Sequence, residues 1–172
     1  MAHFLKEQSL AFDDLLIVPQ YSNITSRLNG EIDTTTKLGP LTLKVPIIAA
    51  NMADICENQM ISAMNLLGGL GILHRFMTAE KTLAEIQRIS ARRVISVGVG
   101  DAATSYLDTI LSVIGYRALD AICIDVAHGH HQAVADMIKW VRKRTLGEVP
   151  VIAGNIATAH GANFLVKAGA DI

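Results

Sequence analysis

The stretch Ile122-Cys123-Ile124-Asp125-Val126-Ala127-His128-Gly129-His130-His131 sets a carboxylate and three imidazoles directly after an apolar burst. A carboxylate at a strand tip suits a two-point grip on a ribose cis-diol, because an ionised Asp offers two acceptor oxygens. Two other readings of these residues stay open. His and Asp clusters bind zinc, although neighbours such as His130 and His131 seldom face one ion. Asp125 could instead cap the following helix while the histidines meet solvent. His74-Arg75 could meet a phosphate or an anionic cofactor, or Arg75 could anchor its loop. Gly98-Val99-Gly100 resembles the start of a phosphate-binding loop, and a tight turn explains it equally well. Asn51-Met52 and Gly154-Asn155 close two further apolar bursts. Neither cysteine reads as a nucleophile. Cys56 falls in the first turn of a helix, where a thiol pKa can drop, whereas Cys123 lies within a burst as a small core residue.

Positioning these groups requires a scaffold, and the chain alternates apolar bursts with amphipathic stretches. The bursts begin near Pro46, Gly71, Val94, Ala121 and Val149, so they recur every 23–28 residues. Each interval fits one strand, a loop, a helix and a loop back, which argues for parallel strands joined by helical crossovers. Asp54-Ile55-Cys56-Glu57 has the spacing of a capping box, opening a helix through Leu67 that Gly68-Gly69 should stop. Thr78 is the expected cap of the next helix, with Leu83, Ile86 and Ile89 on one face. Leu107, Ile110, Leu111 and Ile114 form another apolar stripe, followed by Gly115. Val134, Met137, Ile138 and Val141 form a third, and Gly161, Phe164, Leu165 and Ala168 a fourth, with Gly169 as its stop. In a parallel β/α barrel the functional groups sit at the C-terminal ends of strands. That rule selects Asn51-Met52, His74-Arg75, Gly98 to Asp101, Asp125 to His131, and Gly154-Asn155.

The first 45 residues read differently. Leu15-Leu16-Ile17-Val18-Pro19 is expected to form a short strand, residues 24–36 a polar loop, and the whole an N-terminal hairpin and loop closing one end of the barrel. Residues 46–172 then supply barrel units one to five. Ala168-Gly169-Ala170-Asp171-Ile172 reads as a helix stop and the opening of a sixth strand. An eight-unit barrel takes roughly 250 residues, so the expectation is one domain that forms part of a longer barrel. A self-contained five-stranded doubly wound domain is the alternative.

Composition bounds the partners. The 172 residues are 51% apolar with a mean hydropathy of +0.35. No apolar run reaches the roughly 18 residues of a spanning helix. Short apolar bursts instead fit strands buried on both faces. The formal net charge of −1 and pI near 6.6 leave no basic field for nucleic acid or anionic lipid. Arg142-Lys143-Arg144 sits where a helix should end, and cations there favour the helix dipole. Two cysteines without framework spacing fit a reducing, cytoplasmic setting, and the N-terminus lacks a signal-peptide layout.

Taken in order, several segments resemble the IMP dehydrogenase/GMP reductase family. Phe12-Asp13-Asp14-Leu15-Leu16-Ile17-Val18-Pro19 is similar to its N-terminal signature. Pro46-Ile47-Ile48-Ala49-Ala50-Asn51-Met52 and Gly69-Leu70-Gly71-Ile72-Leu73-His74-Arg75 resemble its first two barrel strands. Asp125-Val126-Ala127-His128-Gly129-His130 and Val151-Ile152-Ala153-Gly154-Asn155-Ile156-Ala157-Thr158 resemble its fourth and fifth strand ends. The resemblance implies hydride transfer at a purine ring, with NAD for IMP oxidation or NADPH for GMP reduction. It places Asp125 on the nicotinamide ribose with Val126 and Ala127 beside it, and Asn155 near the nicotinamide. Ala50, Asn51 and Met52 would line the purine side. The nucleophilic cysteine, on a Gly-rich loop after strand six, and a potassium-type cation site would lie outside these residues. The family also implies a homo-tetramer of complete chains. One departure touches strand one: the family usually has Asp after that Met, and this chain has Ala53 and then Asp54.

Two features divide the family's branches. Only residues 76–92 separate Arg75 from Arg93, room for one helix and not for the regulatory domain pair that IMP dehydrogenases usually insert. The Ala127-His128-Gly129-His130 wording, in contrast, resembles bacterial IMP dehydrogenases, as does Asp13-Asp14. The expectation is a compact IMP dehydrogenase-like enzyme, with GMP reductase as the alternative and a non-catalytic half-barrel module as a further one.

Overall fold

The computed structural model describes residues 10–26, 28 and 32–172. The chain divides into two units, Met1–Asp33 and Thr34–Ile172. Among the described residues of the first unit, a 3-10 turn, Phe12–Asp14, is closed by the Asp14 carboxylate, which accepts the Ala11 N–H at 2.8 Å. The strand expected at Leu15 to Pro19 does not form. Leu16 and Ile17 are 95% and 97% exposed, and β-prone side chains make a strand only where a partner edge pairs with them.

The second unit opens on a tight antiparallel hairpin, β1 (Thr36–Leu38) and β2 (Leu41–Leu43), in register Lys37 to Thr42. Gly39 takes a left-handed φ of 55° in its turn, beside Pro40. The hairpin thus falls within the first 45 residues, built from residues 36–43 and not from Leu15 to Pro19. From here strands and helices alternate: β3 (Ile48–Ala49), α1 (Asn58–Leu67), β4 (Leu70–Gly71), α2 (Ala79–Arg88), β5 (Val94–Val97), α3 (Asp101–Ile114), β6 (Ala121–Asp125), α4 (Gln132–Arg144), β7 (Val151–Gly154) and α5 (Ala159–Ala168).

All pairings from β3 to β7 are parallel and between sequence neighbours. Ile48 pairs with Leu70, Val94 with Ala121, and Ile122 with Val151. A parallel bridge from Leu73 to Ile95 carries the pairing across from β4 to β5. Residues 171 and 172 extend it beyond β7, since both amides donate to Val151 O and Ile172 O accepts from Ala153 N at 2.9 Å. This is the order of a parallel (β/α)8 barrel, present as five units and the opening of a sixth.

Alternation along each strand sorts the core into two layers. Ile95, Val97, Ile122, Ile124 and Val151 face outward and pack under the helix stripes of Leu107, Ile110, Val134, Met137, Ile138, Val141 and Leu165. Leu70, Ile72, Val94, Ala121 and Cys123 face inward, where Leu38, Leu41 and Leu43 of the hairpin meet them. The period of two puts Asp125 on the same inner face as Ala121 and Cys123.

Helix ends follow the side chains available. Gly68 takes φ 87° and closes α1, and Thr78 Oγ1 caps α2 by accepting the Lys81 N–H at 3.3 Å. Gly169, at φ 114°, ends α5. The capping box expected at Asp54 to Glu57 does not form. Helix α1 starts at Asn58, and the Glu57 side chain bonds to other elements instead of a backbone amide.

One cation ties the N-terminal end of β7 to its neighbours. Arg142 donates from Nε and Nη2 to Gly169 O at 2.8 and 2.7 Å, and from Nη1 to Gly147 O and Val149 O, each at 3.3 Å. It also pairs with Asp171, whose carboxylate accepts the Val151 N–H at 2.7 Å. Truncating it strands several partly buried acceptors at once. Arg142→Met is therefore expected to lower unfolding stability by about 2–3 kcal/mol, measured by urea denaturation. A change under about 0.5 kcal/mol would show that these bonds are replaced by water at no cost.

Candidate functional site

The parallel ladder brings the C-terminal ends of β3 to β7 to one rim. Asp125, the last residue of β6, lies half-buried beside Gly154 of β7. Its loop is zipped to the β7 tip: Val126 N–H donates to Gly154 O at 3.0 Å, Asn155 N–H to Val126 O at 2.7 Å, and Gly129 N–H to Asn155 O at 2.7 Å. Asp125, Val126, Ala127 and Asn155 thus form one contiguous edge, with Ala127 and Asn155 exposed.

At the tip of β4, His74 and Arg75 take different roles. His74 is only 3% exposed, and both ring nitrogens are engaged. Nδ1 accepts the Phe76 N–H at 3.1 Å, which puts the ring proton on Nε2, 3.3 Å from Glu57 Oε1. Of the two expected anion contacts, only Arg75 therefore has free donors to offer. Its guanidinium stacks on the Phe76 ring at 4.5 Å. Arg75 Nε is buried without a hydrogen-bond partner, and its nearest carboxylate oxygen is Asp125 Oδ2 at 3.9 Å. A cavity of about 400 Å³ opens beside them, lined by Arg75, Gly98, Val99, Ala103, Tyr106 and Val126. Burial raises the Tyr106 pKa, and a 2.6 Å bond between its hydroxyl and Thr82 Oγ1 opposes that rise.

At the tip of β3, Ala50 and Met52 are exposed and Asn51 is half-buried. The turn there is held by Met52 N–H donating to Ala50 O at 2.8 Å. Asn51 Nδ2 is a second buried donor without a partner. Asp54 takes a left-handed φ of 62° just beyond the departure at Ala53.

The imidazoles after Asp125 diverge. His131 caps α4 by accepting the Ala133 N–H on Nδ1 at 3.1 Å, so the cap is His131 and not Asp125. His130 packs against the rings of His160 and Phe164, each at 5.0 Å. The two thiols are buried. Burial raises the Cys56 pKa and pushes that of Cys123 up to about 12, Asp125 adding to the second. Cys56 precedes α1, which starts at Asn58, so it does not lie in the helix's first turn as expected, and its burial gives it no reactive character.

Tyr106, Phe76 and Glu57 were not legible as site residues. Tyr106 falls on a helix stripe among core residues, Phe76 carries no charge, and Glu57 has the spacing of a cap. A signal was present only in the pairing of an aromatic with the Arg beside it. A separate cavity of about 550 Å³ between α1 and α2 is lined by Asp54, Glu57, Asn58, Glu85 and Arg88, whose carboxylates Glu57 and Glu85 are already paired.

Comparison with known proteins agrees with this geometry. Residues 9–172 match the IMP dehydrogenase / GMP reductase domain. Among curated relatives, a GMP reductase of Streptococcus agalactiae serotype V is 35% identical over 163 residues, 93% of this chain and 47% of the relative. One from Streptococcus equi subsp. equi is 37% identical, with the same coverage of both chains. The chain thus spans about half the length of the curated relatives it matches. Among solved structures, an inosine 5′-monophosphate dehydrogenase from Legionella pneumophila superposes with a TM-score of 0.84 at 37% identity. That match covers 95% of this chain and 49% of the other.

Two outcomes follow from the packing. A Cβ on Gly129 would sit 2.8 Å from Asn155 O and 3.1 Å from Gly154 C, both backbone atoms. Gly129→Ala should therefore push the two strand tips apart and cost about 1–3 kcal/mol in urea denaturation; an unchanged midpoint would mean the loop yields freely. With its pKa near 12, Cys123 holds only about one part in ten thousand as thiolate at pH 8. In the folded protein both thiols should resist dithiobis(nitrobenzoate), an aromatic disulfide, and react fully only after denaturation, followed by absorbance of the released thiolate.

Proposed function

The chain belongs to the IMP dehydrogenase / GMP reductase family, and from that membership we propose that its strand tips form two walls of an NAD(P)-dependent oxidoreductase site for a purine nucleotide. The observation that carries the reading is Arg75 Nε, a buried donor without a hydrogen bond, 3.9 Å from the Asp125 carboxylate. Buried donors in folded proteins are almost always paired. A buried guanidinium donor without a hydrogen bond, beside a carboxylate, therefore fits a ligand that brings both hydroxyls and anionic oxygens, as a dinucleotide does.

The residues present fit such a cofactor. Asp125 would accept both hydroxyls of the nicotinamide ribose, with Val126 and Ala127 flanking it and Asn155 bordering the nicotinamide. Arg75 would face phosphate oxygens from the cavity side. Asn51 would turn its free amide donor toward the purine nucleotide, with Ala50 beside it and Met52 as an adaptable apolar contact. The bound nicotinamide supplies the hydride acceptor or donor. This chain's residues orient it and hold the ribose. The thiol nucleophile and a potassium-type cation site belong, in this reading, to residues outside the chain, within a tetramer of complete subunits.

IMP oxidation with NAD is the direction supported by the Ala127-His128-Gly129-His130 wording. GMP reduction with NADPH is the second reading. It is favoured by the connection of residues 89–93 between α2 and β5, which has no room for an inserted domain, and by the names of the curated relatives.

The test uses the complete gene product. NADH formed from IMP supports the first direction, NADPH consumed with GMP supports the second, and absence of both activities overturns the reading. Asp125→Ala is expected to weaken dinucleotide binding roughly tenfold to a hundredfold, the effect of losing a charged hydrogen-bonding group worth about 1.5–3 kcal/mol, while mononucleotide affinity holds. Calorimetric titration with each ligand separates the two, and an unaltered dinucleotide affinity removes Asp125 from the site.

A further inference from the structure

The tip of β4 is held by side chains that the proposed chemistry does not use. Glu57 precedes α1, His74 follows β4, and Lys81 lies in the first turn of α2. Glu57 Oε1 joins all three, 2.9 Å from Lys81 Nζ and 3.3 Å from His74 Nε2. The Lys81 ammonium and then the His74 ring hold the Glu57 carboxyl below its ordinary range. On its other side His74 accepts the Phe76 N–H at 3.1 Å, so the imidazole closes the turn that contains Arg75. Phe76, fixed through that amide, is also the surface on which the Arg75 guanidinium lies, 4.5 Å from the ring centre. The contacts therefore run without a gap from Lys81 through Glu57, His74 and Phe76 to Arg75, and from Arg75 toward Asp125 at 3.9 Å.

We propose that Glu57 and His74, braced by Lys81, are positioning residues for Arg75: they lock the turn of residues 74–76 and so aim the guanidinium across the cavity at the dinucleotide. This rests on the reading of Arg75 and Asp125 as dinucleotide contacts. An arginine side chain has many rotamers, and its placement at a site depends on the groups that restrain it. Arg75 Nε has no hydrogen bond of its own to restrain it. The restraint it does have comes through the Phe76 ring, and the Phe76 backbone is set by the buried imidazole. Burying an imidazole against a carboxylate costs desolvation that an apolar filler would avoid, and a turn-setting role for that pair accounts for its presence.

A double-mutant cycle on the complete gene product tests this, with NADPH and NADH as titrants and IMP and GMP as controls. Glu57→Ala is expected to weaken dinucleotide binding roughly three- to tenfold, the range of coupling between contacting groups. Glu57→Gln, which keeps an acceptor for His74 and Lys81, should restore it to within about twofold of the parent protein. In an Arg75→Ala background Glu57→Ala should have no further effect, because its influence passes through the guanidinium. His74→Asn keeps an acceptor for the Phe76 amide but loses Glu57, and should behave as Glu57→Ala does. Equal weakening with and without Arg75, or a parallel loss of IMP and GMP affinity, would make the pair a general structural prop and overturn the proposal. So would an Arg75→Ala effect that Glu57→Ala does not share. If Arg75→Ala itself leaves NADPH and NADH affinity unchanged, the reading of Arg75 as a dinucleotide contact fails first, and the proposal falls with it.

Discussion

Everything at the rim depends on the parallel backbone ladder running from β3 to β7. Parallel strands joined by helical crossovers all present the same end to the same side. Residues as far apart in sequence as Asn51, Arg75, Asp125 and Asn155 therefore end at one edge because the ladder puts them there. The ladder also fixes side-chain parity. With a period of two, the register that buries Ala121 and Cys123 inside the barrel leaves Asp125 facing inward where the apolar layer ends. A one-residue slip in β6 would turn that carboxylate into the helix layer against Val134 and Met137, at a cost no single contact could offset.

The same logic explains what the sequence reveals and what it hides. The alternation of apolar bursts and stripes is a local signal, and Val94, Ala121, Ile122 and Val151 fall in strands as their spacing implies. The stops at Gly68 and Gly169 and the cap at Thr78 are legible because each is a backbone need met by one residue type. Leu15 to Val18 misleads for the opposite reason. Its apolar run resembles a strand, but a strand exists only when another edge accepts its hydrogen bonds, and that information lies far away in the chain. At the site, Asp125, Arg75 and Asn155 follow from the rule about strand ends. Glu57 does not, because a helix-cap spacing and a tertiary bond to His74 look identical until α1, β4 and α2 are placed together.

Close backbone approach is the second condition for this rim. Asp125 ends β6 and leads into a loop that faces the β7 tip, which carries Asn155. Three amide-to-carbonyl bonds join the two segments, at 2.7 to 3.0 Å. The third of them needs the glycine at 129, where a Cβ would lie 2.8 Å from Asn155 O. A glycine in this role is a packing requirement and not a flexible joint. The carboxylate therefore sits at the end of a paired strand whose following loop is braced against β7.

Electrostatics along β6 separate holding from attacking. Cys123 lies two residues before Asp125 on the same inner face, and it is tempting to assign it the covalent step of a purine oxidoreductase. Two forces oppose that assignment. Burial in the apolar interior makes a thiolate costly, and a carboxylate on the same strand adds like-charge repulsion to it. A nucleophilic thiol needs a cation, a helix N-terminus or a base beside it, and Cys123 has an anion. The cation nearest Asp125, Arg75, turns toward the cavity and the carboxylate at the rim. The Asp125 charge at the tip of β6 thus helps to keep its neighbour Cys123 protonated.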